Sequence, residues 1–124
     1  MAFLRRGTPT PATALRTNWY HILVALAGED RHGRAIARDV LAQTDGALHL
    51  WPATLYGALE QLSGAGLVVE IAEPDERPPG ESERRRYYRL TASGRAALAT
   101  EIRRVETIAR LARARLGLID ATAR

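Results

Sequence analysis

A chain of 124 residues without a long apolar run describes one compact domain and excludes a helical membrane span. Hydrophobic residues make up 46% and charged residues 26%, an ordinary globular balance, and a domain this small gains stability by pairing with a second copy. There are no cysteines, which excludes a disulfide framework, a thiolate metal site and a thiol nucleophile, and agrees with a cytoplasmic location.

All 18 basic residues are arginine, and they are unevenly placed. Residues 1–28 hold three arginines and no acid, residues 29–83 hold four arginines against eleven acids, and residues 84–124 hold eleven arginines against three acids. Such asymmetry points to one face or end that meets an anion, and nucleic acid is the commonest such partner of a basic domain. A solvated arginine-rich helix is the plain alternative for the last block.

Residues 1–10 are polar and proline-rich and read as a mobile arm; Arg5 and Arg6 are followed by Thr8-Pro9-Thr10-Pro11 rather than by the apolar stretch of a secretion signal. Thr10-Pro11 offers an N-cap and a proline at the first helical position. Leu15, Trp19, Ile22, Leu23 and Leu26 follow at helical spacing, with Gly28 placed to stop the helix. After a polar turn from Glu29 to His32, Ile36, Val40 and Leu41 mark a second helix, closed by Asp45-Gly46. Ala47 to Trp51 reads as a brief strand. Pro52 opens a third helix with Leu55, Leu59 and Leu62 inward, ended by Gly64 and Gly66.

Leu67 to Ala72 and Arg85 to Leu90 read as the two strands of a hairpin joined by a long loop rich in proline, glycine and acid. From Thr91 the pattern is helical again, with Thr91 or Ser93 as cap. Leu98, Ile102, Val105, Ala109, Ala112, Leu116 and Ile119 recur at alternating spacings of four and three, which is a heptad seam, and Ala109 and Ala112 are small enough to admit a second helix closely. Packing of that helix on its own domain is the alternative. The predicted class is mainly α with a β-hairpin wing (α+β): an arm at 1–10, a winged helix-turn-helix domain at 11–91 and a long C-terminal dimerisation helix at 92–124. In a helix-turn-helix the later helix of the pair enters the major groove, and here that helix starts at Pro52.

The runs Ile22-Leu23-Val24-Ala25-Leu26-Ala27, His32-Gly33, Thr54-Leu55-Tyr56-Gly57-Ala58-Leu59, Leu62, Gly66-Leu67 and Arg86-Tyr87-Tyr88-Arg89-Leu90-Thr91-Ala92-Ser93-Gly94, taken in this order, are similar to the signature of the PadR family of bacterial transcriptional regulators. With one terminal helix, the chain resembles the short branch of that family. The resemblance implies a homodimeric repressor on double-stranded DNA, some relatives binding aromatic or multidrug ligands near the dimer interface. It would place Thr54 and Tyr56 at the DNA face and Arg84, Arg85 and Arg86 at the wing root near the backbone; Gly57, which stands where family members commonly carry Arg or Lys, is a DNA-binding candidate by close approach alone. The heptad seam makes Leu98, Ile102, Val105, Ala109, Ala112 and Leu116 the expected dimer contact; Trp19 is the candidate to meet a small aromatic effector between the first and last helices, although its place on an apolar stripe reads first as core. Tyr56 could equally pack beside the second helix with its hydroxyl wet. The arginines could equally be solvated guards of a strand edge.

The third helix itself carries no cation: Gly57, Glu60 and Gln61 occupy its outer positions, so phosphate affinity must come from elsewhere. The wing loop, with Glu70, Glu73, Asp75, Glu76, Glu81 and Glu83 against Arg77, is expected to stay out of the groove. His21, His32 and His49 lack ligand-like spacing, and there is neither a glycine-rich phosphate loop nor a nucleophile elbow, so no cofactor, metal or enzymatic activity is expected. A winged-helix dimer that meets a protein instead of DNA is the competing reading.

Overall fold

The computed structural model describes residues 15–73 and 85–118. The arm, the Thr10-Pro11 cap, the acidic loop from Pro74 to Arg84 and Ile119 lie outside the described residues. Helix α1 spans Thr17–Leu26, strand β1 Arg31–His32, α2 Gly33–Gln43, α3 Pro52–Gly64, β2 Val68–Ile71, β3 Tyr87–Leu90 and α4 Ala92–Arg115. The strands form one antiparallel sheet in the order β1-β3-β2, with Arg31 opposite Tyr88 and Glu70 also opposite Tyr88. Helix-turn-helix, two-stranded wing and long terminal helix are all present, as the sequence predicts.

Three expectations are corrected. Arg16 is extended (φ −65°, ψ 152°), so α1 starts at Thr17 and Leu15 packs on the core from a segment ahead of the helix. Ala47 to Trp51 forms no strand. Glu29 to His32 is more than a turn, because Arg31 and His32 add a third strand to the sheet. Two residues carry too little pattern to announce a strand; the partner lies far along the chain at Tyr87 and Tyr88.

Helix α1 is the centre of the core. Ile22, Leu23, Ala25 and Leu26 are buried, and the helix packs on α2, α3, β3 and α4. Ile36 and Val40 of α2, Leu55, Leu59 and Leu62 of α3, Tyr88 and Leu90 of β3 and Leu98 of α4 complete one continuous cluster. Each such side chain contributes roughly 1.5–3 kcal/mol on burial. Arg31 ties the first two helices together: its Nε donates to the Ala25 carbonyl at 2.7 Å, and its Nη atoms lie 3.7 Å from Glu29 and 3.8 Å from Asp39.

Sequence-encoded caps set the helix ends. His32 Nδ1 accepts from the Ala35 N–H at 3.2 Å at the start of α2. At the end of α3, Gly66 takes φ +79° and the Leu67 N–H reaches back to the Leu62 carbonyl at 3.0 Å, a Schellman closure. Thr91, not Ser93, caps α4: its Oγ1 accepts from the Gly94 N–H at 2.9 Å and donates to the Gly66 carbonyl at 2.7 Å. A Cβ on Gly94 would land on the Leu67 carbonyl. The first turn of α4 is therefore clamped onto the corner where α3 gives way to β2.

The 24 residues of α4 extend about 36 Å at 1.5 Å per residue. Gly94, Leu98 and Glu101 are buried in the chain's own domain, and beyond Glu101 the helix leaves the body. There Ile102, Val105, Ile108, Leu111 and Leu116 stand 38–71% exposed. No helix among the described residues is long and apolar enough to cross a membrane.

Candidate nucleic-acid interface

Helix α3 divides cleanly into two faces. Leu55, Ala58, Leu59 and Leu62 are buried, whereas Ala53, Thr54, Gly57, Glu60 and Gln61 are exposed. Glycine inside a helix costs about 0.5–1 kcal/mol relative to alanine. At Gly57 nothing among the described residues requires it, because a Cβ there would meet none of their atoms within 4 Å. The packed interior leaves this surface flat, and any demand for flatness comes from what approaches it.

Tyr56 sits at the edge of that surface, 37% exposed. A Cβ on Gly33 would land on its hydroxyl, so the tip of the phenol ring abuts the first turn of α2. Both positions considered from sequence meet in one side chain: the ring lies beside α2, and its outer face is turned away from the core. Arg86 covers that face, its guanidinium 5.8 Å from the Tyr56 ring centroid and 5.9 Å from that of Tyr88. The cation is already paired. Its Nε and Nη2 donate to the two carboxylate oxygens of Glu70 at 3.2 and 3.0 Å, a bidentate contact across the wing strands. The hydrogen bond to Glu70 holds the guanidinium above its ordinary pKa. Burial pushes the Tyr88 phenol up, and the nearby Arg86 opposes that shift. Arg85 is half-buried at the same wing root, and Arg84 lies outside the described residues.

The opposite flank of α3 faces α1. Arg16, just ahead of α1, places its guanidinium 5.4 Å from the Trp19 ring centroid, and its Nη1 lies 3.4 Å from the Gln61 Oε1 of α3. Between the helices runs a groove of about 400 Å³ whose walls include Trp19, Thr54 and Gly57. Trp19 thus opens toward α3, and no residue of α4 lines this groove. Sequence reasoning missed Arg16, although its position three residues before Trp19 on the α1 approach was a readable signal. On the turn into α3, Trp51 is 64% exposed and stacked on His49, with ring centroids 3.9 Å apart.

The expected dimer residues divide into two sets. Leu98 is 6% exposed inside its own domain and is corrected from seam to core. Ile102, Val105 and Leu116 are open, joined by Ile108 and Leu111, which the alternating four-three spacing passes over. Glu101, at the boundary, accepts from the Leu15 N–H at 3.4 Å and lies 3.3 Å from Arg104 Nε. No group of three His, Cys, Asp or Glu among the described residues could hold a metal ion.

Residues 22–100 match the transcriptional regulator PadR-like family. The transcriptional regulator Rv3488 of Mycobacterium tuberculosis is 33% identical over 90 residues, covering 73% of this chain and 77% of that protein. Among solved structures, a PadR family transcription regulator of Clostridium difficile matches with a TM-score of 0.63 at 24% identity, over 79% of this chain and 98% of its own. Bacillus subtilis PadR in complex with operator DNA matches with a TM-score of 0.56 at 21% identity, over 68% of this chain and 45% of its own. The family is one of transcriptional regulators rather than enzymes, and this chain belongs to it.

Proposed function

We propose that the chain is a sequence-specific DNA-binding repressor that acts as a homodimer on a pseudo-palindromic operator. The observation that carries this reading is the exposed face of α3. Thr54, Gly57 and Gln61 form a flat polar strip with no packing duty, and arginines from two other elements, Arg16 and Arg86, bracket it. A strip of this kind reads base edges while flanking cations hold phosphates. The Bacillus subtilis relative, solved with operator DNA, has the same fold. The exposed apolar ridge of α4 supports pairing with a second copy, since a patch of this size on a small soluble domain is normally covered. Release by a small aromatic effector belongs to the same reading; Trp19 is the group it would stack on, and such a ligand would lie beside Thr54 and compete with DNA directly.

The test is selection of bound duplexes from random sequence, followed by salt titration. Replacing Arg84, Arg85 and Arg86 together with alanine weakens binding to every sequence and flattens the salt slope by about one for each phosphate no longer neutralised. Thr54→Ala lowers discrimination between matched and mismatched duplexes and leaves the slope nearly unchanged. For the effector, Trp19→Phe abolishes the fluorescence response to planar aromatic ligands. A wild type that enriches no duplex shifts the assignment to a protein-contact module, which the cation-free α3 would then explain.

A further inference from the structure

We propose that the groove between α1 and α3 seats a DNA sugar-phosphate strand, and that Arg16 is the cation that holds it. The inference rests on the DNA-binding reading and extends it to a surface outside both the recognition helix and the wing. Two grooves flank α3, and they differ in charge. The wing-side groove contains Arg86 but also Glu60 and Glu70, and Glu70 already occupies the Arg86 fork. The α1-side groove contains no carboxylate, and Arg16 has no carboxylate partner among the described residues. Beside a helix with no cation of its own, Arg16 is a charge that no carboxylate among the described residues engages.

Its geometry suits phosphate. The guanidinium is steered by the Trp19 ring and by Gln61, an arrangement that limits its rotation and leaves N–H donors facing the groove. The 3.4 Å approach to Gln61 is long for a hydrogen bond, so it sets direction at little cost when a stronger acceptor arrives. Thr17 and Asn18 on one wall add neutral donors, the kind that commonly accompany an arginine on a phosphate. A groove of about 400 Å³ open along its length accommodates a strand of backbone while Thr54 and Gly57 face the bases beside it. An acidic protein segment could use the same cation. It would not require the open strip of α3 next to it, and this favours nucleic acid.

The experiment uses the full chain with two duplexes, one recovered by selection with wild type and one of unrelated sequence. Arg16→Ala lowers the log–log salt slope by about one on both duplexes. Arg16→Lys restores the slope and recovers only part of the affinity, because an ammonium keeps the charge and loses the planar fork. Ethylation interference on the selected duplex loses one phosphate per half-site in Arg16→Ala relative to wild type. In a Trp51→Phe background the emission of Trp19 changes on adding the selected duplex. Wild type that binds while Arg16→Ala keeps the full slope and the complete ethylation pattern overturns this proposal alone. Wild type that enriches no duplex in the selection overturns it together with the DNA reading.

Discussion

At the scale of single residues, two glycines twenty-four positions apart serve opposite ends. A Cβ on Gly33 would displace the Tyr56 hydroxyl, the outer end of a partly exposed side chain, whereas Gly57 has open space above it among the described residues. Gly33→Ala is therefore expected to destabilise the fold only modestly, by about 1 kcal/mol. The loss should be largely relieved in the double variant with Tyr56→Ala, a coupling that a denaturation cycle reads directly. Gly57→Ala is expected to stabilise the fold by about 0.5–1 kcal/mol while weakening binding to the selected duplex. A destabilised Gly57→Ala protein, or one with undiminished affinity, would remove the argument that an approaching ligand demands this flat surface. Glu70 gives a third case. Both partners of its pair with Arg86 are about half exposed, so the pair contributes little to stability, and Glu70→Gln should leave the denaturation midpoint nearly unchanged. The variant frees the arginine fork, and the salt titration should show tighter binding to all duplexes with a slope steeper by up to about one.

At the scale of elements, much of the architecture was legible in the sequence because helix ends carry their own chemistry. Pro52 opening α3, Gly66 closing it and Thr91 capping α4 act within a few residues of themselves, and all three were readable. What escaped depends on partners distant in sequence. Strand β1 exists only because Arg31 and His32 find Tyr88 and Tyr87, and the Arg16 contact exists only because α1 lies across α3. The seam was partly misread for a related reason. One apolar stripe serves two contacts in turn: Leu98 faces its own core, and the positions beyond Glu101 face outward. The two halves should respond differently. Leu98→Ala should lower stability by about 2–4 kcal/mol at every protein concentration. Ile108→Glu should leave the first turns of α4 packed and convert dimer to monomer in sedimentation velocity. Ile108→Glu that sediments as wild type would place the dimer contact elsewhere.

At the scale of the whole molecule, the consequential feature is that one uninterrupted helix joins the end of α3 to the exposed apolar ridge. The first turn of α4 is clamped to the end of α3, through the Thr91 hydroxyl on the Gly66 carbonyl and the close fit of Gly94 on Leu67. From there α4 runs without a break to Arg115, past the exposed Ile108 and Leu111. No loop intervenes that could absorb a change of angle, so in a two-fold dimer built on this ridge the separation and orientation of the two α3 helices are fixed by a rigid strut. Half-sites should therefore lie about one helical turn apart, roughly 10 bp centre to centre. Their spacing should be enforced strictly. Inserting about half a turn of DNA between them rotates the second half-site to the far side of the duplex, and affinity should drop to that of a single half-site. The Ile108→Glu monomer supplies the reference: it should bind the intact operator and the respaced one equally, at that same reduced level. Titration of both proteins on both duplexes at one salt concentration makes the comparison. Wild type that tolerates the insertion, or a monomeric variant that still prefers the intact spacing, would show that α4 does not set the distance between the reading heads.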